Sequence, residues 1–399
     1  MFPIEIKPGI FWVGVNDRTT DLFEGLWPIT REGVSYNAYY IGDEHRTIID
    51  LSKSIKEEEF FDQVAQMTDL RQLDYVVINH MEPDHTGVLQ TLRRIAPGVK
   101  LVGTPKTIKM LQLFFGVMDN VQSVADGEQL CLGRCTLKFI HAPFVHWPET
   151  MVTYELRDRV LFSCDAFGGY GALRGSIFDD QCLDMDFYRK EALRYYANIV
   201  ARFASNVLRA IEKLADVPVD VIAPSHGLIW RADPNKIIEL YRVWSESVTR
   251  PRDKAVALVY GSMYGYTETM ANAVAEGIAE AGAPVELFDA ARMHPSYILP
   301  AIMLNAGLMV GAPTYENILF PIVAELLRLT AHKRILNRQT AWFGSYGWSG
   351  GAEKEFDEIA ASANWTVVDK YEFCGRPSRE ALHKGREFGR KFAQAVLKG

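Results

Sequence analysis

The sequence predicts two α/β domains in series, a layered, strand-rich one over residues 1–250 and a parallel-sheet one over 254–399. Three observations carry this reading. A chain of 399 residues suits two or three domains at about 150 residues each. The segment Ser245–Lys254 is polar, charged and interrupted by Pro251, as linkers are. Beyond it, strand-like and helix-like runs alternate regularly, which implies a parallel sheet covered on both faces.

The elements follow in order. Short apolar runs at 10–14, 36–41 and 46–50 read as strands, and helices and strands then mix. This start suggests a layered α/β or α+β sandwich rather than a doubly wound sheet. An amphipathic helix signal begins at Lys236 and ends the first domain. In the second, strand-like runs lie at 255–260, 284–288, 307–311, 339–344 and 366–372, and a last helix covers 379–397.

Composition narrows the class. The chain is 48% hydrophobic and 23% charged, with a net charge of −7, so it is neither disordered nor built as a nucleic-acid binder. Five cysteines without a C-x-x-C pair fit a reducing cytoplasm better than a disulfide framework. The N-terminus has no basic start followed by an apolar run, so no signal peptide is expected. The uncharged stretch Pro295–Tyr315 contains Pro300, Asn305, Gly307, Gly311 and Pro313. It therefore reads as helix, turn and strand, and no membrane span is expected.

The most informative segment is Leu73-Asp-Tyr-Val-Val-Ile-Asn-His80-Met-Glu82-Pro-Asp84-His85. A buried strand runs into four potential metal ligands within six residues. His80 and Glu82, two apart, share one side of an extended backbone. Pro83 turns the chain, so Asp84 and His85 can face a second point nearby. A polar loop with one capping Asp does not need four ligand types at this density. More candidates stand at later strand ends: His146 before Trp147-Pro148, Asp165 after Val160-Leu-Phe-Ser-Cys, and His226 in Pro224-Ser-His-Gly. Hard oxygen donors with imidazoles and no thiolate favour iron, with zinc as the rival metal. Three carboxylates and a bridging hydroxide would balance the charge of two ferrous ions.

A second constellation opens the C-terminal domain. Ser262-Met263-Tyr264-Gly265-Tyr266-Thr267 links a strand to a helix, as phosphate-cradling loops do. Two later strand ends carry Pro313-Thr314-Tyr315-Glu316-Asn317 and Ser345-Tyr346-Gly347-Trp348-Ser349-Gly350-Gly351. All three loops leave carboxyl ends of strands, where ligands sit in open parallel sheets. Aromatic and small polar residues there suit an isoalloxazine ring.

Together, H-x-E-x-D-H, H-W-P, a lone Asp after a strand, and S-H-G resemble the flavodiiron proteins over nearly the whole chain. The resemblance implies an N-terminal metallo-β-lactamase-like αββα sandwich followed by a flavodoxin-like, doubly wound, five-stranded parallel sheet. It implies one iron held by His80, Glu82 and His146, a second held by Asp84, His85 and His226, and Asp165 bridging them. The single phosphate loop implies FMN. Tyr195 and Tyr196, in Arg194-Tyr-Tyr-Ala-Asn198, match a segment that approaches the diiron pocket in the family, where Tyr196 either lines the pocket or donates a proton or is a core helix aromatic, and Glu24 stands where many members carry His. His141 reads as a supporting or structural residue.

The implied activity is reduction of O2 to water, of NO to N2O, or of both. The sequence carries no C-x-x-C pair of the rubredoxin type, so the electron donor is expected to be separate: rubredoxin, a reduced deazaflavin or a reductase. A head-to-tail homodimer, or a dimer of dimers, would bring one chain's FMN to the other's irons. The alternative is a dinuclear zinc hydrolase fused to a flavodoxin module. Glu82 argues against it, since zinc hydrolases of this fold place His there.

Overall fold

Residues 1–399 are described by a computed structural model, and they form two units. The first comprises Met1–Tyr196 and Ser205–Arg242, the second Ala197–Ala204 and Val243–Gly399.

In the first unit two sheets share one core. A seven-stranded sheet begins antiparallel and ends parallel, with Thr47–Ile49, Tyr75–Val77, Lys100–Gly103 and Val121–Ser123 all running the same way. A five-stranded sheet is antiparallel from Gln129–Cys131 to Val160–Cys164 and adds Val221–Pro224 in parallel. Trp12, Tyr39, Ile49 and Val77 of one sheet pack with Phe139, Met151, Phe162 and Val221 of the other. At about 25 cal/mol per Å² of apolar surface, this shared core supplies most of the unit's stability. The expected layered sandwich is the αββα arrangement, with helices such as Glu57–Met67 burying Phe60 and Val64.

The second unit is a five-stranded, fully parallel sheet. Its strands are Asp253–Tyr260, Val285–Asp289, Asn305–Gly311, Gln339–Tyr346 and Thr366–Cys374, in the spatial order second, first, third, fourth, fifth. That is the flavodoxin-like order, and its topological switch lies between the first and third strands. The helix Pro295–Leu304 passes straight into its strand without the expected turn. No helix is long and apolar enough to cross a membrane.

The polar segment Ser245–Lys254 is not a loop. The helix Pro234–Thr249 runs through its first half, and the next strand starts at Asp253. Ser245 and Ser247 are buried, Ser247 Oγ donates to Val243 O, and the Arg338 guanidinium caps Ser247 O and Val248 O, while Thr249, Arg250, Arg252, Asp253 and Lys254 are exposed. The division between units falls within this helix, at Arg242 and Val243, and a short excursion at Ala197–Ala204 joins the second unit.

Candidate functional site

The ligand candidates converge at one end of the sandwich because each follows the carboxyl end of a strand. Tyr75–Val77 leads to His80 and Glu82. Pro83 then starts a single helical turn, Pro83–Thr86, which presents Asp84 and His85. Val160–Cys164 delivers Asp165, Val221–Pro224 delivers His226, and the loop after Thr136–His141 delivers His146. Cys164 and Phe167 flank Asp165 in the left-handed region, at φ 55° and 67°. Two strained residues persist only where surrounding structure holds them. Gly227, at φ 77°, lets the chain after His226 pass within van der Waals range of Gly169.

Two sets form around shared points. Glu82 Oε2 lies 3.2 Å from both His80 Nε2 and His146 Nε2. Asp84 lies 3.5 Å from His85 Nε2 and 3.3 Å from His226 Nε2. Asp165 divides its oxygens between the sets. Oδ2 is 3.4 Å from His80 and 3.3 Å from His146, while Oδ1 is 3.2 Å from His85 and 3.3 Å from His226. Donor atoms about 2.0–2.2 Å from one ion stand roughly 3.0–3.4 Å from each other. The observed separations match two neighbouring ions sharing Asp165.

Whether the residues fit such ions is decided by their unmet polarity. Both oxygens of Asp84, both of Asp165, and Nε2 of His85 and of His226 are buried without a hydrogen-bond partner. Such groups are costly to bury unless they coordinate cations. Surrounding groups fix the imidazoles for that purpose. His80 Nδ1 donates to Glu149 Oε1 at 2.7 Å, and His226 Nδ1 donates to the Ser35 carbonyl at 2.7 Å. A carbonyl cannot donate, so the His226 proton sits on Nδ1 and the Nε2 lone pair faces the centre.

Electrostatics agree. Burial depresses His146 and His226, but the close contact of Asp165 and the other carboxylates outweighs it and pushes them up to about 9 and about 10. Burial would raise Asp165, yet the His85 charge and its imidazole contacts hold it well below the carboxylate range. Without a cation, protons take its place.

Aromatic rings wall the centre. Phe23, Tyr36 and Tyr195 surround His226 at 5.5, 5.9 and 5.7 Å, and Trp147 stands edge-on to His80 at 5.0 Å. Tyr195 and Tyr196 have different surroundings. Tyr196 packs edge-on against Tyr241 at 5.1 Å, whereas Tyr195, with its ring 5.7 Å from that of His226, has a buried, unpartnered hydroxyl. The helix Met185–Tyr195 gives way to a π-helical turn at Tyr196–Val200. Glu24 does stand at the pocket. The residue is exposed over much of its surface, but its carboxylate end is crowded by protein. Desolvation and the Glu82 charge push it up to about 7, while Trp27 Nε1 donates to it at 3.1 Å. His141 is structural, its Nε2 bonded to Val124 O at 3.1 Å. Glu149 and Ser35 were not legible as supporting residues.

In the second unit the three loops frame an open cleft of about 440 Å³. Met263, Tyr264, Tyr266, Pro313, Thr314, Tyr315, Glu316, Asn317, Ser345, Tyr346, Gly347, Trp348 and Ser349 line it, with Gly375 as an unforeseen member. The other expected residues shape the loops from behind. Ser262 Oγ accepts from Gly265 N at 3.0 Å, and Gly265 caps the helix Tyr266–Glu280 at φ 86°. Thr267 Oγ1 and Ser345 Oγ are 3.1 Å apart, joining two loops. Gly350 passes against Glu372, and Gly351, at φ 140°, passes so near Asn317 O that a Cβ would sit 2.5 Å from it. Trp348 and Tyr264 remain largely exposed, so the cleft has an aromatic rim open to a flat ring.

Fold and site together define a class: a dinuclear-metal sandwich coupled to a flavodoxin-like module. Known proteins narrow it. Residues 34–227 match the family described as ODP family beta lactamase, and residues 258–389 match flavodoxin. The chain is 34% identical, over 99% of both lengths, to a nitric oxide reductase of Moorella thermoacetica. It superposes at TM-score 0.93 on the rubredoxin oxygen:oxidoreductase of Desulfovibrio gigas, with 31% identity over 99% of both chains. A flavodiiron protein of Giardia intestinalis also matches at 0.93, with 29% identity over 99% of this chain and 97% of that one. The chain belongs to the flavodiiron protein family.

Proposed function

We propose that this protein is an FMN- and diiron-dependent reductase that converts O2 to water, NO to N2O, or both. The single observation that carries the proposal is Asp165, whose two buried oxygens each face a separate three-residue ligand set. When bound, FMN would supply one- and two-electron transfer, and a pair of irons would supply the redox chemistry for reducing a small diatomic. The working units are residues 1–250 and 254–399.

The chain's own residues set the conditions. His80, Glu82 and His146 would hold one ion, and Asp84, His85 and His226 would hold the other. Asp165 fixes their spacing. Glu149 and Ser35 lock two imidazoles in the ligating tautomer. Phe23, Tyr36, Tyr195 and Trp147 keep bulk water from the centre, which strengthens every polar interaction inside. Tyr195, whose buried hydroxyl is unpartnered and whose ring lies 5.7 Å from that of His226, joins Tyr196 as a hydrogen-bond or proton donor for the centre. In the cleft, the turn Ser262–Thr267 cradles the FMN phosphate and the 313–317 and 345–351 loops hold the ring.

Electrons come from a separate donor: rubredoxin, a reduced deazaflavin or a reductase. The exposed Trp348 and Tyr264 at the cleft rim support access from outside the chain. A head-to-tail homodimer, alone or paired into a tetramer, completes the electron path between flavin and iron, and the protein works in the cytoplasm. The zinc-hydrolase reading is not favoured, because Glu82 supplies a hard carboxylate to a shared-carboxylate pair and the relatives are reductases by name. Metal and flavin analysis of the purified protein tests the proposal. Two irons and one FMN per chain are expected. Zinc in both sites with hydrolytic turnover and no flavin reduction would overturn it.

A further inference from the structure

Beside the ligand segments sits a buried carboxylate that neither metal set uses. Asp50 follows the strand Thr47–Ile49 at φ 53°, a left-handed conformation that the surrounding structure must hold. The residue is 2% exposed. Its Oδ1 accepts from Asn79 N at 2.8 Å, and its Oδ2 accepts from Asn79 Nδ2 at 3.2 Å. Thr153 Oγ1 donates to Asn79 Oδ1 at 2.7 Å, which turns the NH2 of that amide toward Asp50. Ser225 Oγ donates to Oδ2 at 3.5 Å, the longest of these bonds. Asp50, His85 and Cys164 also bring one polar atom each within 4.8 Å of one another.

These neighbours share one property. Asn79 precedes His80, Cys164 precedes Asp165 and Ser225 precedes His226, while His85 is itself a candidate ligand. The backbone repeats the pattern. Asp50 N donates to Val77 O at 2.9 Å, on the strand that leads to His80, and Leu51 N donates to His85 O at 3.0 Å. Ser225 N donates to Cys164 O at 2.8 Å, joining the Asp165 and His226 segments directly. Segments that serve both metal sets therefore meet at one side chain.

Charge argues for more than shape. Asn79 and Ser225 offer neutral donors, which a neutral amide or hydroxyl could also accept. A carboxylate buried among neutral donors is costly unless a cation balances it. The cations available to it are the two ions that the ligand sets would hold. The Glu149 carboxylate, by contrast, bonds only at His80 and Met81, on one segment.

We propose that Asp50 is a positioning residue shared by both metal sets. Its carboxylate holds the segments bearing His80, His85, Asp165 and His226 to one point, and its charge offsets that of the ions. This rests on the paired-metal reading of the site, and on neither the gas nor the electron donor.

Asp50→Asn in the full-length, FMN-loaded protein is the test. The amide keeps an acceptor for Asn79 N and removes the charge. Chelator competition resolved into two steps should show both ions held about 10–100-fold more weakly. The midpoint potential of the bound iron pair should rise, because losing a nearby negative charge disfavours the more positive, oxidised state. FMN content and circular dichroism should match wild type. Two further variants keep the test decisive if Asp50→Asn misfolds. Asn79→Ala should weaken the His80 set more than the His226 set, and Ser225→Ala should do the reverse to a smaller extent. If neither moved either affinity, the proposal would be overturned. It would equally be overturned by an Asp50→Asn protein that is less stable yet keeps wild-type affinities and potential, the mark of a purely structural residue. Wild-type protein that takes up no pair of ions would instead overturn the paired-metal reading beneath it.

Discussion

Glu149→Gln should weaken one metal site while leaving the fold intact. Glu149 Oε1 accepts from His80 Nδ1 at 2.7 Å and from Met81 N at 2.9 Å, and the side chain is fully buried. An amide oxygen can still accept both bonds, so the substitution keeps them and removes the negative charge, while its NH2 takes the place of Oε2, which is buried without a partner. That charge makes His80 a better donor to a cation. Loss of such a supporting carboxylate lowers metal affinity about 10–100-fold, or about 1.4–2.7 kcal/mol. Glu149→Ala should cost more, since it strands two buried donors at about 1–3 kcal/mol each. The Asp84, His85 and His226 set makes no contact with Glu149, so its affinity should move only through the shared Asp165. Competition with a fluorescent chelator, resolved into two steps, reads both sites. If both variants bound the first ion as tightly as wild type, Glu149 would not be what holds His80, and the reasoning would be refuted.

Other expectations follow from the same structure. Tyr195→Phe should lower kcat by about tenfold, the worth of one hydrogen bond to a charged centre, with iron content unchanged; Tyr196→Phe should lower it less, and the reverse order would make Tyr196 the chief donor. Gly351→Ala forces a Cβ into Asn317 O at φ 140° and should weaken FMN binding, read by fluorescence titration, without changing iron content. Arg338 is buried and its guanidinium is held by backbone carbonyls of Ser247, Val248, Ile302, Met303 and Leu336. Arg338→Met leaves these acceptors unpaired and should destabilise the flavin unit by at least about 3 kcal/mol in urea unfolding. For metal-free protein, His146 and His226 have folded values raised to about 9 and about 10. Their stabilisation is complete below the unfolded value of about 6.5 and is lost as pH rises through 9 to 10. Metal-free protein should therefore lose stability over that window in denaturant titrations, while metal-loaded protein should not.

Much of this was legible in the sequence for a physical reason. Each ligand is of an unusual type for its place, a strand end, where an apolar run stops at His or Asp. The alternation of strands and helices after residue 253 reflects a sheet buried on both faces, so its strands read as continuous apolar runs. What failed depends on contacts remote in sequence. Glu149 and Ser35 look ordinary until folding sets them beside His80 and His226. The polar, charged run Ser245–Lys254 with Pro251 suggested a linker, but its first half is the end of a helix whose Ser247 hydroxyl is satisfied by Val243 O in the preceding turn. Gly375 reaches the flavin cleft from the end of the last strand, with no side chain to announce it.

The central claim is that paired metals and a flavin in this chain reduce a small gas. Its most direct test is anaerobic reduction of the purified, iron- and FMN-loaded protein, followed by exposure to O2 and to NO under the same electron supply. Consumption of at least one gas, with water or N2O as product and with loss of turnover in Asp165→Ala, is the expected result. Reduced protein that retains both cofactors and consumes neither gas would contradict the account.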